Sequence, residues 1–173
     1  MEGLLHPVSI GNLKLDGNVF LAPLAGYTDK IFRSICLRHG ADLAYTEMVS
    51  SEGVARDSEK TVMLMERGEG ERNLAVQLFM PDADTAKRSI PGVMAYNPAM
   101  IDINAGCPVP KVVKTGAGSA LLKDPKKIRE IVSTIVENTN VPVTIKIRTG
   151  WDVEGINYLE TAQAAFDGGA SAV

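Results

Sequence analysis

Cysteine and histidine are scarce in this chain. Its 173 residues include two cysteines, Cys36 and Cys107, and two histidines, His6 and His39, with no CxxC spacing and no cluster. Neither a disulfide framework nor a structural zinc site is expected from ligands so few and so far apart. Long apolar runs are missing as well. Stretches such as Val19–Ala25 fall far short of the ~20 residues that cross a bilayer. No charged-then-apolar leader with a small-residue cleavage site opens the chain, so export is not expected. What remains, 45% hydrophobic and 23% charged residues, is the balance of an average soluble globule of one-domain length. The expectation is a reduced, cytoplasmic, globular protein with no membrane segment and no metal.

A strong charge of one sign is also absent. The net charge of −3 argues against a dedicated nucleic-acid-binding module, but its distribution is uneven. Lys111, Lys114, Lys123, Lys126, Lys127 and Arg129 stand together against the single acid Asp124. A basic strip on an acidic body can steer a polyanion. The plainer alternative is a solvated loop and helix face.

Short β-rich runs alternate with amphipathic stretches. Strands are expected at Val19–Ala22, Leu43–Thr46, Leu74–Phe79, Met100–Asn104 and Val143–Ile147, with the start of a sixth at Ser171–Val173. A helix is expected at Thr28–His39, where Ile31, Phe32, Ile35 and Cys36 share a face and Gly40 closes the end. Ser51–Met65 reads as loosely helical. Asp82 caps a helix to about Ala95 that Pro91 should kink or end early. Asp124 and Pro125 open another to about Asn138, and a last one covers Asn157–Asp167.

Strand, helix, strand, helix at this spacing signals βαβ units and a parallel sheet. A doubly wound open sheet and a closed barrel both satisfy it. The first βα turn, Ala22-Pro-Leu-Ala-Gly-Tyr, lacks a GxGxxG fingerprint, which weighs against the dinucleotide-binding open sheet. Pro23, Glu47, Gln77, Asn104, Cys107, Lys146 and Arg148 fall near or just past strand ends, where barrel active sites collect. A full barrel takes about 250 residues. The expectation is therefore an α/β fold, a (β/α)8 TIM barrel left incomplete after five βα units and the start of a sixth strand.

Cys107 lies between Gly106 and Pro108, on a loop both tight and stiff. A free thiol has a pKa near 8.5, so at neutral pH it is mostly protonated and able to donate a proton. Thiolate nucleophilicity would need a neighbouring base or cation, and neither histidine is placed by sequence to serve. The plain alternative is an inert buried cysteine, which suits Cys36 between Ile35 and Leu37. On alternation, Thr144, Lys146 and Arg148 share one face of their strand and Val143, Ile145 and Ile147 the other. With the apolar set toward the helices, Lys146 points into the barrel, where it needs an anion. Gln77, between Val76 and Leu78, points inward by the same logic, and its amide can donate and accept. The glycines of Thr115-Gly-Ala-Gly-Ser-Ala look like a phosphate loop, but no Lys-Ser/Thr pair follows them. A flexible active-site lid is the expectation there.

Taken together, Leu21-Ala-Pro-Leu-Ala-Gly-Tyr-Thr-Asp, Ala75-Val-Gln-Leu, Asp102-Ile-Asn-Ala-Gly-Cys-Pro, Lys111-Val-Val-Lys-Thr-Gly-Ala-Gly-Ser-Ala-Leu-Leu and Thr144-Ile-Lys-Ile-Arg-Thr-Gly-Trp resemble the tRNA-dihydrouridine synthases. Order and spacing match over essentially the whole chain. One departure is Ala105, where the family commonly has methionine. The resemblance implies an FMN-dependent TIM-barrel catalytic domain followed by a small helical RNA-binding domain. Its activity would be reduction of the C5–C6 double bond of a tRNA uridine, expected in the D-loop, with NADPH recharging the flavin. Carried over by position, Pro23, Leu24 and Ala25 would form the backbone floor under the flavin. Gln77 would bond the pyrimidine edge of its ring, and Lys146 would stabilise the negative charge of the reduced form. Asn104 would help hold flavin and base, and Cys107 would protonate C5 as hydride reaches C6 from flavin N5. Glu47 and Arg148 occupy polar, substrate-side family positions. The uridine must leave its stack to reach such a site.

By this resemblance residues 1–173 are the N-terminal portion of the catalytic barrel. The C-terminal barrel units, which in this family grip the FMN phosphate, and the helical domain would lie outside them. An open sheet edge then favours self-association. Two other readings are a non-catalytic barrel fragment unable to retain FMN, and another FMN-dependent barrel of the dihydroorotate-dehydrogenase type, against which the Gly106-Cys107-Pro108 loop and its basic tail argue.

Overall fold

The computed structural model describes residues 3–173. It opens with an antiparallel hairpin, β1 (Val8–Ile10) and β2 (Leu13–Leu15), turned at Gly11 with a positive φ of 55°. There follow β3 (Phe20–Leu21), α1 (Lys30–Arg38), β4 (Leu43–Tyr45), β5 (Val49–Ser50), α2 (Ser51–Ala55) and α3 (Glu59–Val62). The second half holds β6 (Leu74–Phe79), α4 (Ala83–Met94), β7 (Met100–Asn104), α5 (Pro110–Val113), α6 (Pro125–Glu137), β8 (Val143–Lys146) and α7 (Tyr158–Asp167). The main sheet runs β3-β4-β6-β7-β8, every pairing parallel, and short β5 adds a second contact to β6. It is an α/β fold whose parallel sheet curls into a half-barrel.

Alternation sorts the two faces. Val76, Leu78, Ile101, Ile103, Val143 and Ile145 face the helices and pack in one core with Ile90 and Val93 of α4 and Ile128, Ile131 and Ile135 of α6. The opposite, concave face is apolar only at its base, where Ile10 and Leu15 of the hairpin meet Leu43, Ala75 and Met100. The hairpin reaches far along the chain to do so: Asn12 Nδ2 donates to Asn140 O at 3.3 Å. Above that base the concave face turns polar. The register sets Gln77 beside Asp102 and Asp102 beside Thr144, one row across three strands.

Several elements differ from the sequence reading. The hairpin has no counterpart in it. Helix α1 is capped by Asp29, which accepts N–H bonds from Ile31 and Phe32, and ends before a left-handed Gly40. Its apolar side chains Ile31, Phe32 and Ile35 are exposed, and Cys36 is half-buried rather than sealed in a core. The buried side is polar instead. Arg33 donates from Nε and Nη2 to both oxygens of Glu71 (2.7 and 3.0 Å), from Nη1 to Thr28 O and from Nη2 to Glu66 O. Ser51–Met65 is not one helix but α2, α3 and a 3-10 turn, broken near Asp57, whose φ is +52°.

Pro91 neither ends nor shortens α4. It lies on the exposed side, and burial of Ser89, Ile90 and Val93 opposite offsets the one hydrogen bond its ring removes. The strand expected at Val143–Ile147 stops at Lys146, Val19–Ala22 shrinks to Phe20–Leu21, and the sixth strand amounts to one bridge between Ala172 and Thr144. Among the described residues no helix is long and apolar enough to cross a membrane.

Candidate active site

The loop after β3 is wound tightly. Leu24 O accepts the N–H groups of Tyr27 and Thr28, both at 3.0 Å, while Leu24 N donates to Thr28 Oγ1 at 3.1 Å. Gly26 takes a φ of +80°, and its N–H donates to the Glu47 carboxylate. Arg33 anchors the far end through Thr28 O.

Pro23, Leu24 and Ala25 of this loop form one wall of a cavity of about 250 Å³ at the C-terminal edge of the sheet. Gln77, Asn104, Cys107 and Lys146 complete it, with Met48 and Val109 at its margin. Seven of the nine residues singled out by sequence thus meet around one space. Glu47 and Arg148 do not line it. Glu47 braces the Gly26 turn from outside, and Arg148 is exposed beyond β8.

Cys107 is a free, half-buried thiol. Its position is set from two sides. Asn104 Oδ1 accepts the N–H groups of Gly106 (3.2 Å) and Cys107 (2.9 Å), and Cys107 O accepts the Ser119 N–H at 2.9 Å. The glycine-rich tail is therefore not a lid. It runs into a 3-10 helix, Gly118–Lys123, with Ala117, Ser119, Leu121 and Leu122 buried, and it buttresses the thiol loop from behind. Gly118 is required there on two counts: its φ is +61°, and a Cβ would stand 2.6 Å from Cys107 O. Gly118→Ala should cost more than about 1 kcal/mol of stability and raise the accessibility of Cys107. Urea unfolding and thiol labelling check this, and an unperturbed variant would mean the contact is slack. Neither histidine lies here: His6 meets Asn18, and His39 caps α1. Among the described residues no cluster of metal-binding side chains occurs.

Asp102 is the residue sequence reasoning passed over. It is 3% exposed and accepts from Gln77 Nε2 at 2.7 Å and from Thr144 Oγ1 at 2.6 Å. Burial pushes its carboxyl up to about 6, opposed by those two hydrogen bonds and by the charge of Lys146. Burial, and then the Asp102 charge, raise the Tyr45 phenol as well. The signal was available, since Asp102 sits two residues before Asn104 on the same face of β7. The basic strip is mostly solvent-facing: Lys111, Lys114, Lys123, Lys126 and Arg129 are exposed, and Lys123 Nζ lies 3.7 Å from the centre of the Trp151 ring.

A curled parallel sheet with a thiol, an ammonium and two amides around one cavity at its C-terminal edge defines an enzyme site of the α/β barrel type. The particular family follows from comparison with known proteins. The family model described as dihydrouridine synthase matches residues 20–173, and the chain belongs to that family. It is 46% identical to a probable tRNA-dihydrouridine synthase of Treponema pallidum, over 99% of this chain and 52% of that one. It is 40% identical to tRNA-dihydrouridine synthase B of Pasteurella multocida, over 95% of this chain and 49% of the relative. A probable tRNA-dihydrouridine synthase 1 of Synechocystis is 39% identical over 95% and 46%. The chain spans about half the length of the curated relatives it matches.

Proposed function

We propose that residues 1–173 form the N-terminal portion of a TIM-barrel catalytic domain that reduces a uridine of tRNA, in the D-loop, to dihydrouridine. The reading includes FMN as cofactor, NADPH as reductant and a cytoplasmic location. The observation that carries it is the meeting of Cys107, Lys146, Gln77 and Asn104 around one cavity.

The residues present fit a flavin ring. Lys146 lines the cavity but is solvent-exposed at the end of β8, so burial does not oblige it to find an anion. With no carboxylate in ion-pair distance among the described residues, its ammonium is free to meet an anionic or electron-rich partner. Gln77 keeps one amide hydrogen beyond those it uses, and Pro23–Ala25 offer a backbone wall. Bound there, the flavin would supply the hydride that reduces the uracil ring. Cys107 holds the proton for C5 on its Sγ, on a loop fixed by Asn104 and Ser119. Asn104 and Gln77 orient the ring edges, and the exposed lysines of the strip draw the polyanionic tRNA toward the mouth. The target uridine enters unstacked.

Lys146→Ala and Gln77→Ala, made in the whole protein, should each lower the flavin retained on purification or shift its reduction potential. Absorbance in the flavin bands and a redox titration read this. Full flavin content with an unmoved potential in both variants would defeat the assignment of these two side chains.

A further inference from the structure

From the thiol loop to Asp102 the hydrogen bonds run in one direction. The N–H groups of Gly106 and Cys107 can only donate, so Asn104 turns its Oδ1 to them and its Nδ2 away. Nδ2 then needs an acceptor and finds Gln77 Oε1 at 2.9 Å. That bond turns Gln77 Nε2 toward Asp102 Oδ2 at 2.7 Å. The chain ends there, on a side chain whose other oxygen takes the Thr144 hydroxyl. Reversing any single amide would set donor against donor or acceptor against acceptor. Gln77 is 1% exposed and Asp102 3%, so water has little access to repair a break.

We propose that Asp102 is a positioning residue for the reaction. As the terminal acceptor it holds Gln77 and Asn104 in one amide orientation each, and through Asn104 it holds the backbone that presents the Cys107 thiol. This rests on Cys107 being the proton donor, but its test reads the loop and not turnover. What acts is the acceptor, not the charge. In Asp102→Asn the new amide oxygen still takes the Gln77 hydrogen, while its NH2 donates to a rotated Thr144 hydroxyl. Asp102→Ala leaves Gln77 without an acceptor.

A reversed chain gives a sharper test. Asn104→Asp alone sets a carboxylate against Gln77 Oε1. Gln77 can turn over to satisfy it only if position 102 becomes a donor, which Asp102→Asn provides. In the double variant N104D/D102N the chain is whole again in the opposite sense.

The measurement is the alkylation rate of Cys107 by iodoacetamide in the full chain, separated from Cys36 by peptide mass spectrometry. D102N should stay within about twofold of the unsubstituted protein, while D102A should react roughly tenfold faster at Cys107, the scale of one lost charge-assisted hydrogen bond. Cys36 should not change in either. N104D should show a similar rise, and adding D102N should bring it back. A folded D102A with an unchanged Cys107 rate would overturn the proposal, as would N104D/D102N reacting no more slowly than N104D. If D102A does not fold, the rates of N104D and N104D/D102N decide as above; if N104D does not fold, recovery of folding on adding D102N supports the proposal and its absence overturns it. A spectator role for Cys107 would leave these rates as they are and would emerge from turnover of Cys107→Ala instead.

Discussion

Cys107→Ala in the whole enzyme is expected to lower uridine reduction by about 10²–10⁴-fold, the usual cost of removing a general acid. NADPH-driven reduction of the flavin should continue nearly unchanged. The thiol is held by the bonds of Gly106, Cys107 and Ser119 rather than by its own side chain. Truncating Sγ therefore removes the proton and leaves the loop standing. Among the described residues no histidine lies at the cavity. Stopped-flow measurement of the two half-reactions separates the cases. Equal loss in both would assign Cys107 to cofactor binding or folding. Activity within a few fold of the natural enzyme would leave the proton to another donor.

Arg33→Ala should remove about 3–5 kcal/mol of stability, the cost of stranding one member of a buried ion pair. Both side chains of the Arg33–Glu71 pair are fully buried. The guanidinium also satisfies Thr28 O and Glu66 O, and the Glu71 carboxylate accepts the Gly68 N–H at 2.8 Å. Arg33→Lys keeps the charge but not the planar fork, so it should recover only part of the loss. Replacing both members with apolar residues of similar volume should cost less than Arg33→Ala alone. Urea denaturation at neutral pH reads all three. A loss under about 1 kcal/mol for Arg33→Ala would place the pair in solvent. Because Arg33 grips Thr28, the same variant should loosen the Pro23–Ala25 wall before the chain unfolds globally.

Alternation made much of this legible. The strands Leu74–Phe79 and Met100–Asn104 follow from their apolar runs, and the inward faces of Gln77 and Lys146 follow from parity. Cys107 is conspicuous between a glycine and a proline. Arg33 escaped because hydrophobicity assigns the buried side of α1 to Ile31, Phe32 and Ile35, whereas a long-range carboxylate at Glu71 claims the opposite side. Asp102 escaped for a related reason: nothing near it in sequence marks it out, and its partners lie 25 and 42 residues away. The Gly118 segment was misread because glycine marks two opposite things, freedom and crowding. Only the proximity of Cys107 O tells which applies.

The N-terminal hairpin has a consequence for how the molecule is made. Gly11 packs against Pro142 and Ser171, and Asn12 bonds a carbonyl 128 residues ahead of it. Synthesis delivers the hairpin 128 residues before the Asn140 carbonyl that it bonds, while domains tend to assemble as they emerge. The strand–helix–strand units around β6, β7 and β8 join neighbours in sequence and can close early, whereas segments so far apart meet late. On the ribosome the hairpin thus waits for its seat while the units between them close, and until Pro142 has been added the half-barrel has no bottom.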